Sequence, residues 1–214
     1  MRKLIHLTLS PASRLARLLV AEKRLACDPT LADDALAHLP CFVELDGTQA
    51  TGLWAIIDHL EGAYPDHPQV PEDPAARNQA LRWLDWAMGP LHEQATRRIL
   101  FEKGAQRYTG APQRLAPDMN VIRQGREALK SALKAIGEAT ELNGNLSARD
   151  CNIADLAVAA HLSCLDYFGE VPWTDFPHTA EWYTRIKSRP SFRTLLADRV
   201  PGQPPTTSYA ELDY

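Results

Sequence analysis

Residues 64–74, YPDHPQVPEDP, divide this sequence into two parts with different patterns. The segment holds four prolines in eleven residues, and proline both fixes φ and lacks an amide hydrogen, so no regular helix or strand continues through it. Before it, short apolar runs alternate with turn residues; after it, apolar residues recur only at helical spacing. The sequence therefore predicts a first domain at 1–64, a linker at 65–74, an all-helical domain at 75–198 and a tail at 199–214.

The first domain begins with a predicted strand and helix. Alternating apolar residues over 3–9 favour a strand, and Ser10 followed by Pro11 supplies an N-cap and a first-turn proline for a helix that runs to about residue 23. The apolar residues of this helix fall on one face, which leaves its basic residues for solvent. We therefore expect exposed side chains at Arg14, Arg17 and Lys23.

The remainder of the first domain is short. Residues 24–38 leave room for at most a short strand and one or two helical turns. Residues 41–45 form a predicted strand, Asp46-Gly47 a hairpin turn because glycine tolerates positive φ, and residues 48–51 the return strand. Helical spacing of apolar residues over 52–64 completes an α/β unit.

Helices are predicted after the linker at 75–103, 117–139, 153–168, 179–188 and 191–198. The helix at 153–168 has a clear start, because Asn152 can accept from its first free amides while Asp155 reaches back to the amide of the cap residue. An almost continuous apolar run follows, so this helix is expected to be the buried centre of the second domain. His161 on it is interpreted as a packed core histidine rather than as a metal ligand.

Composition narrows the classes of function. The formal net charge of −4 and the pI near 6.0 give no overall attraction for nucleic acid. No stretch approaches the roughly 18 consecutive apolar residues of a membrane span, so membrane insertion is not expected. The N-terminus lacks the apolar core of a signal peptide. The cysteines form no CxxC pair, which fits reduced, mostly buried thiols in a cytoplasmic protein and predicts no metal site.

Several motifs together resemble the glutathione transferase superfamily over residues 1–198. They are SPASRLARLLVAEK at the first turn and helix, Leu39-Pro40 at the position of a cis-proline bend, WAIIDHLEGAYP at the helix after the hairpin, NIADLAVAAHL at the capping box, and WYTRIKSRPSF at a late helix and turn. The resemblance implies an abbreviated thioredoxin-like α/β domain followed by an all-α domain, which is the fold class that we predict.

The same resemblance locates a ligand site whose chemistry is altered. In such enzymes an acidic residue and a serine at the start of the helix after the hairpin hold the γ-glutamyl group of glutathione. Gly52 and Leu53 match these positions, so the carboxylate and the hydroxyl are both missing, and each lost partner costs roughly 1–3 kcal/mol in a buried site. Pro40 can still present backbone groups to a peptide-like ligand. We therefore predict a vestigial ligand site, no catalytic residues and no cofactor.

Two alternatives remain open. The first is a glutathione-dependent transferase or isomerase, with glutathione as cofactor, in which Ser10 or Ser13 would donate a hydrogen bond to the glutathione sulfur and lower the thiol pKa. Helix capping is the simpler interpretation of both serines. The second is a small-molecule carrier that uses the cleft between the domains, with three tryptophans as walls, Trp54, Trp83 and Trp86. Packing is the simpler interpretation of these side chains.

Two surface features are candidates for binding a protein partner. The predicted helix at 117–139 carries a basic stripe within an arc of about 80° at 100° per residue, made of Arg123, Arg126, Lys130 and Lys134. An acidic partner or simple solvation of a helix face would each account for this stripe. The tail ends with aromatic anchors beside charges, which are typical of interaction sites, at Tyr209, Glu211, Leu212, Asp213 and Tyr214.

The tail could dock on a partner or on its own body. Because no periodic helix extends into it, removal of its last six residues is expected to leave folding nearly intact. A large fall in melting temperature after this truncation would instead indicate docking on the body of the protein.

Within the superfamily, the altered ligand site and the acidic-aromatic tail resemble a non-enzymatic branch that binds polymers of the tubulin-like division protein FtsZ. The resemblance implies a cytoplasmic homodimer at the division site that regulates the curvature of FtsZ filaments and promotes constriction. It also implies that the tail is available to another division protein. Two linked sites on a dimer would raise avidity for a filament.

Overall fold

The structure is a computed structural model that describes residues 1–32, 38–104, 106–109 and 116–211. A mixed sheet opens the chain, with strands in the spatial order β2-β1-β3-β4. The strands are β1 Arg2–His6, β2 Cys27–Leu31, β3 Cys41–Val43 and β4 Gln49–Thr51. β1 is parallel to β2 and antiparallel to β3, and β4 is antiparallel to β3. This sheet, with the helices below, forms the predicted α/β unit.

Helices make up most of the remaining described chain. The sheet is accompanied by α1 Pro11–Glu22 and α2 Leu53–Ala63. After the prolines come α3 Pro74–Trp86, a π-helical segment Ala87–Thr96, α4 Arg97–Lys103, α5 Gln106–Thr109, α6 Met119–Asn143, α7 Ile153–Tyr167, α8 Pro177–Lys187 and α9 Arg193–Leu196. Short 3₁₀ turns lie at Trp173–Asp175, Pro190–Phe192 and Thr207–Ala210. The predicted fold class, an α/β unit followed by helices, is confirmed.

β1 ends at His6, three residues before the predicted end of the strand. The amide of Leu7 donates to the side-chain oxygen of Ser13 at 3.1 Å, and the amide of Leu9 donates to the carbonyl of Tyr108 at 2.8 Å. These backbone groups therefore have partners outside the sheet, which alternation of apolar residues does not reveal.

The basic residues of α1 are buried, so the prediction that they face solvent is wrong. The relative solvent exposure of Arg14, Arg17 and Lys23 is 0%, 7% and 5%, respectively. The helix packs against α2 and α7, and acceptors elsewhere in the chain bind each of the three cations. Lys23, for example, donates to the carbonyl of Tyr64 at 2.7 Å and pairs with Glu61 at 2.9 Å. Helical periodicity places these residues on one face but does not show what will cover that face.

The connection from β2 to the β3–β4 hairpin is short, as expected. Its described residues, 32 and 38–40, contain no helix, and the peptide bond between Leu39 and Pro40 is cis as the resemblance implied. In the hairpin, Gly47 has a φ of 90°, and the carboxylate of Asp46 accepts from the amide of Thr48 at 2.9 Å. Asp46 and Gly47 therefore form the hairpin turn, as predicted.

The predicted helix at 75–103 has the expected extent but not a uniform hydrogen-bond pattern. Its middle, Ala87–Thr96, is π-helical and contains Pro90, which has no amide hydrogen to donate. α6 crosses this region closely at Gly125. A Cβ atom built on Gly125 would lie 2.9 Å from the side chain of Ile99 and 3.3 Å from the carbonyl of Ala95. The lack of a side chain at Gly125 therefore permits the close approach of α6 to α4 and to the end of the π-helical segment.

α7 is the buried central helix, as predicted. The side chain of Asn152 accepts from the amide of Ala154 at 3.0 Å, and that of Asp155 accepts from the amide of Asn152 at 3.1 Å, which completes the capping box. Asp155 also accepts from the indole of Trp182 at 2.9 Å. His161 is fully buried, and one ring nitrogen lies 3.0 Å from the hydroxyl of Thr96, which agrees with a packed core histidine.

The tail docks on the body of the protein through Tyr209, which is fully buried. Its hydroxyl accepts from Arg14 at 3.0 Å and donates to the carbonyl of Leu195 at 3.0 Å. The ring packs edge to face on Tyr167, with ring centroids 5.1 Å apart. This arrangement does not fit the expectation that loss of the last six residues leaves folding nearly intact, because that truncation would remove Tyr209.

Candidate functional site

The turn that enters α2 is the predicted ligand site, and a backbone hydrogen bond joins it to Pro40. Gly52 has φ 86° and ψ 155°, a region that glycine alone adopts readily. Its amide donates to the carbonyl of Pro40 at 2.8 Å. This bond occupies the amide of Gly52, whereas the carbonyl of Pro40 has two lone pairs and can still accept a second hydrogen bond.

Leu53, the first residue of α2, contributes its side chain to the core. It retains 7% of its exposure and belongs to the main apolar cluster. α2 has no side-chain N-cap and no acidic residue in its first turn. Positions 52 and 53 therefore supply neither a carboxylate nor a hydroxyl at the start of α2.

Both candidate catalytic serines make structural hydrogen bonds. Ser10 caps α1, and its side chain accepts from the amide of Ser13 at 3.4 Å. Ser13 is fully buried, and its hydroxyl oxygen accepts from the amide of Leu7. The capping interpretation therefore holds for Ser10, whereas Ser13 bonds to the segment before the helix and does not cap it.

The first domain also contains an ionisable cluster that the sequence did not indicate. Glu44, at the end of β3, accepts hydrogen bonds from Tyr64, from His59 at 3.0 Å and from Arg2 at 3.0 Å. Burial opposes ionisation of Glu44, but the hydrogen bonds from Tyr64 and His59 outweigh it and lower the pKa of this carboxyl to about 2. The cluster ties the sheet to the C-terminal part of α2, and a glutamate beside a turn gives no sequence signal for it.

All four residues of the basic stripe are exposed on α6, as the helical spacing predicted. Arg126 is the most restrained, because its guanidinium donates twice to Glu170, at 2.6 Å and 3.0 Å, and Lys103 also contacts this carboxylate. Arg123 has no carboxylate within ion-pair distance in the part of the chain that the structure describes.

The two lysines of the stripe have only loose partners on the same helix. Lys130 lies 3.3 Å from Glu127, and Lys134 lies 3.8 Å from Glu138. Such exposed pairs contribute roughly 0–1 kcal/mol and can be exchanged easily. The positive charge of the stripe is therefore available at Arg123 and at both lysines.

Of the predicted tail contacts, Tyr209 and Glu211 lie among the described residues. Tyr209 is an anchor of the fold, so direct contact of its ring with a partner would require the tail to leave the body. Glu211 is exposed. Leu212, Asp213 and Tyr214 lie outside the described residues, and their predicted role stays a prediction.

The tryptophans proposed as walls of a carrier cleft lie in different surroundings. Trp54 is 51% exposed on α2. Trp83 and Trp86 pack edge to face, with ring centroids 5.1 Å apart, and lie against the main apolar cluster. Their geometry favours packing for the second pair.

The described residues give little support to a metal site or to a membrane-spanning helix. Their histidine, cysteine and carboxylate side chains do not gather in a group of three or more that could hold a metal ion. All four cysteines are free thiols: Cys164 is buried, and the other three are partly buried, with Cys27 and Cys151 packed against the main apolar cluster. Among the described helices, none has both the length and the apolar character needed to cross a bilayer.

Comparison with known proteins places the chain beside proteins of the same length and fold. No family model matches it. FtsZ-localized protein A of Caulobacter vibrioides is 37% identical over 227 aligned residues, which cover 100% of this chain and 98% of that protein. The solved structure of FzlA from C. crescentus has a TM-score of 0.92 and 36% identity, with 100% and 99% of the two chains covered.

A glutathione S-transferase from Rhodospirillum rubrum F11 also has a similar structure, with a TM-score of 0.93, 34% identity and all of both chains covered. The relatives thus include a protein named for FtsZ and a protein named for glutathione. The similarity to FtsZ-localized protein A extends over the whole chain at 37% identity. The chain therefore belongs to the family of FtsZ-localized protein A and has the glutathione-transferase-like fold.

Proposed function

We propose that this protein is a non-enzymatic member of its family that binds FtsZ polymers in the cytoplasm, at the division site, and regulates filament curvature and constriction. The observation that carries the proposal is the full-length similarity to FtsZ-localized protein A. The ligand turn supports it, because the amide of Gly52 already bonds to Pro40 and Leu53 supplies no hydroxyl.

The basic stripe is the surface proposed to meet the polymer. Arg123 is exposed without a carboxylate partner among the described residues, and the glutamate partners of Lys130 and Lys134 lie on the same exposed helix. An acidic surface can replace these partners at little cost, since exposed pairs are weak. Arg126, at one edge of the stripe, is bonded to Glu170 and is therefore less available to a partner than the other three residues.

A homodimer and a tail contact complete the proposal. Two copies of the stripe in one dimer would raise avidity and could bridge neighbouring protofilaments, which gives a small protein a means to change filament shape. Sedimentation equilibrium tests the dimer, and a monomer at the concentrations used for binding would contradict it. A second division protein would bind at Glu211 and the residues after it, while Tyr209 holds the tail in place.

Co-sedimentation with polymerised FtsZ tests the stripe. The variant Arg123→Glu, Lys130→Glu reverses two exposed charges on α6, and the matched control Arg77→Glu, Arg82→Glu reverses two exposed charges on α3. We expect the first variant to lose binding, the control to retain it, and wild-type binding to weaken as salt screens the charges. Wild-type protein that stays in the supernatant under polymerising conditions would contradict the proposed function.

A glutathione-dependent transferase or isomerase is the second candidate, favoured by the 34% identity to the R. rubrum glutathione S-transferase. Calorimetric titration with millimolar glutathione, beside a conjugation assay, tests it. Ser10→Ala is the informative variant, because Ser13→Ala would also leave the buried amide of Leu7 without its partner. Saturable binding of glutathione, together with conjugation that Ser10→Ala abolishes, would favour the enzymatic function. Absence of glutathione binding would rule that function out.

A further inference from the structure

Glu170 is a counter-ion that the protein itself supplies to the basic stripe. Its side chain is only 2% exposed, and its carboxylate accepts two hydrogen bonds from Arg126 and a further contact from Lys103. Although burial disfavours the charged form, the hydrogen bonds from Arg126 and Lys103 outweigh it and lower the pKa of Glu170. The carboxylate is therefore charged at neutral pH, and an acidic partner of α6 would compete with it for these cations.

The turn that ends α7 holds Glu170 in this position. The amide of Gly169 donates to the carbonyl of Asp166 at 2.9 Å, and the amide of Glu170 donates to the carbonyl of Leu165 at 3.0 Å. Gly169 has a φ of 67°, the left-handed conformation that commonly ends a helix. Because Glu170 is part of this turn, a change in the turn changes the position of its carboxylate.

The tail packs directly on the same turn through Thr206. The amide of Thr206 donates to the carbonyl of Tyr167 at 3.1 Å, and its hydroxyl donates to the carbonyl of Asp166 at 3.3 Å. A Cβ atom built on Gly169 would lie 2.8 Å from the methyl carbon of Thr206. The tail therefore lies in close contact with the backbone that positions Glu170.

The tail also holds one of the two cations that bind Glu170. The side-chain amide of Gln203 donates to the carbonyl of Lys103 at 2.7 Å, and the hydroxyl of Tyr167 donates to the carbonyl of Gln203 at 2.8 Å. Lys103 is the last residue of α4, and its ammonium contacts the carboxylate of Glu170. Residues of the tail thus bind both the turn that carries Glu170 and the backbone of Lys103.

We propose that the docked tail is an autoinhibitory element: it holds Glu170 against Arg126 and Lys103, and its release makes these cations available to an acidic partner. This inference rests on the proposed function of the basic stripe and specifies how that surface is regulated. Coupling between two sites is reciprocal. A protein that draws the tail off the body would therefore strengthen binding of FtsZ, and FtsZ would strengthen capture of the tail.

The first test measures the coupling without FtsZ. NMR of the isotope-labelled full-length protein follows the Hε proton of Arg126, which exchanges slowly with water while it is bonded to Glu170. We expect Tyr209→Ala, which undocks the tail, and Gln203→Ala, which removes its bond to α4, to accelerate this exchange at least about threefold. The Hε proton of Arg2, which bonds to Glu44 in the first domain, is the internal control. Unchanged exchange at Arg126 in both variants would overturn the proposal.

The second test is a double-mutant cycle in the FtsZ co-sedimentation assay. Glu170→Gln keeps the size of the side chain and removes its charge. We expect Glu170→Gln and Tyr209→Ala each to bind about twofold to fivefold more tightly than the wild type. The double variant should bind no more tightly than Glu170→Gln alone, because both changes release the same cations.

Glu127→Gln is the matched control for this cycle, since Glu127 is an exposed partner of Lys130 and lies outside the turn. Its effect should multiply with that of Tyr209→Ala. Because Tyr209→Ala also lowers stability, Gln203→Ala repeats the cycle with the tyrosine anchor in place. Effects of the tail variants that multiply with Glu170→Gln, or weaker binding by both tail variants, would overturn the proposal. Absence of wild-type binding would overturn the function of the stripe, and exchange at Arg126 would still decide whether the tail controls Glu170.

Discussion

We predict that the contacts of Tyr209 in the docked tail contribute strongly to the free energy of unfolding. Tyr209→Phe keeps the ring and removes the hydroxyl that accepts from Arg14 and donates to the carbonyl of Leu195. The bond to a charged group is worth about 1.5–3 kcal/mol and the neutral one about 0.5–1.5 kcal/mol, so we expect a total loss of about 2–4 kcal/mol. For a chain of this length, each kcal/mol lowers the melting temperature by about 2–4 °C.

Thermal unfolding followed by circular dichroism measures this effect. Tyr209→Phe should melt about 4–16 °C below the wild type. Tyr209→Ala should melt lower still, since truncation of a buried aromatic ring costs about 3–5 kcal/mol. A second pair of variants separates the anchor from the residues beyond it. A chain that ends at Ser208 lacks Tyr209 and should be destabilised, whereas a chain that ends at Ala210 keeps it and should melt near the wild type.

An unchanged melting temperature for both Tyr209→Phe and Tyr209→Ala would refute the reasoning. It would mean that the tail is not held against Arg14 in solution. The original expectation from the sequence, a tail that can be removed without cost, would then be restored.

The remaining predictions concern a carboxyl, a cap and a turn. Glu44→Gln should be less stable than the wild type at neutral pH. Because folding lowers the pKa of Glu44, the difference in stability should shrink as the pH falls from 4.5, the ordinary pKa of a glutamate, through about 2. Urea unfolding of both proteins across this pH range measures the difference. Asp155→Ala leaves three buried donors unpaired, the indole of Trp182 among them, and should cost at least about 3 kcal/mol in urea unfolding; a smaller loss would mean that water replaces the carboxylate. Gly52→Ala should cost about 1–3 kcal/mol, since its backbone conformation suits glycine alone; a neutral result would mean that the turn relaxes.

Features set by neighbouring residues could be predicted from the sequence. The capping box of Asn152 and Asp155 depends on a spacing of three residues, and the hairpin turn depends on the positive φ that Gly47 permits. The loss of ligand groups at Gly52 and Leu53 is likewise visible from residue identity alone. Each of these features depends on residues that are close together in the sequence, so a local sequence pattern is enough to predict it.

Features set by distant residues could not be predicted in this way. Arg14 and Tyr209 are 195 positions apart. Helical periodicity predicted that Arg14 faces solvent, and the aromatic and charged residues of the tail left open whether it docks on a partner or on its own body. Burial of Arg14 depends on acceptors from Thr8, Ser163 and Asp198, which only the complete fold brings together. The cluster around Glu170 has the same origin, since its cations come from α4 and α6 and its turn follows α7.

The close crossing at Gly125 has a consequence for genetics. Gly125 lies between Arg123 and Arg126 in sequence, yet it faces the interior and approaches Ile99. An added methyl group would push α6 away from the π-helical segment and carry both arginines with it. If the basic stripe binds FtsZ as proposed, a screen for loss of that binding should therefore recover substitutions at this interior glycine as well as at the surface arginines. A smaller residue in place of Ile99 should suppress the interior alleles and leave the surface alleles uncorrected.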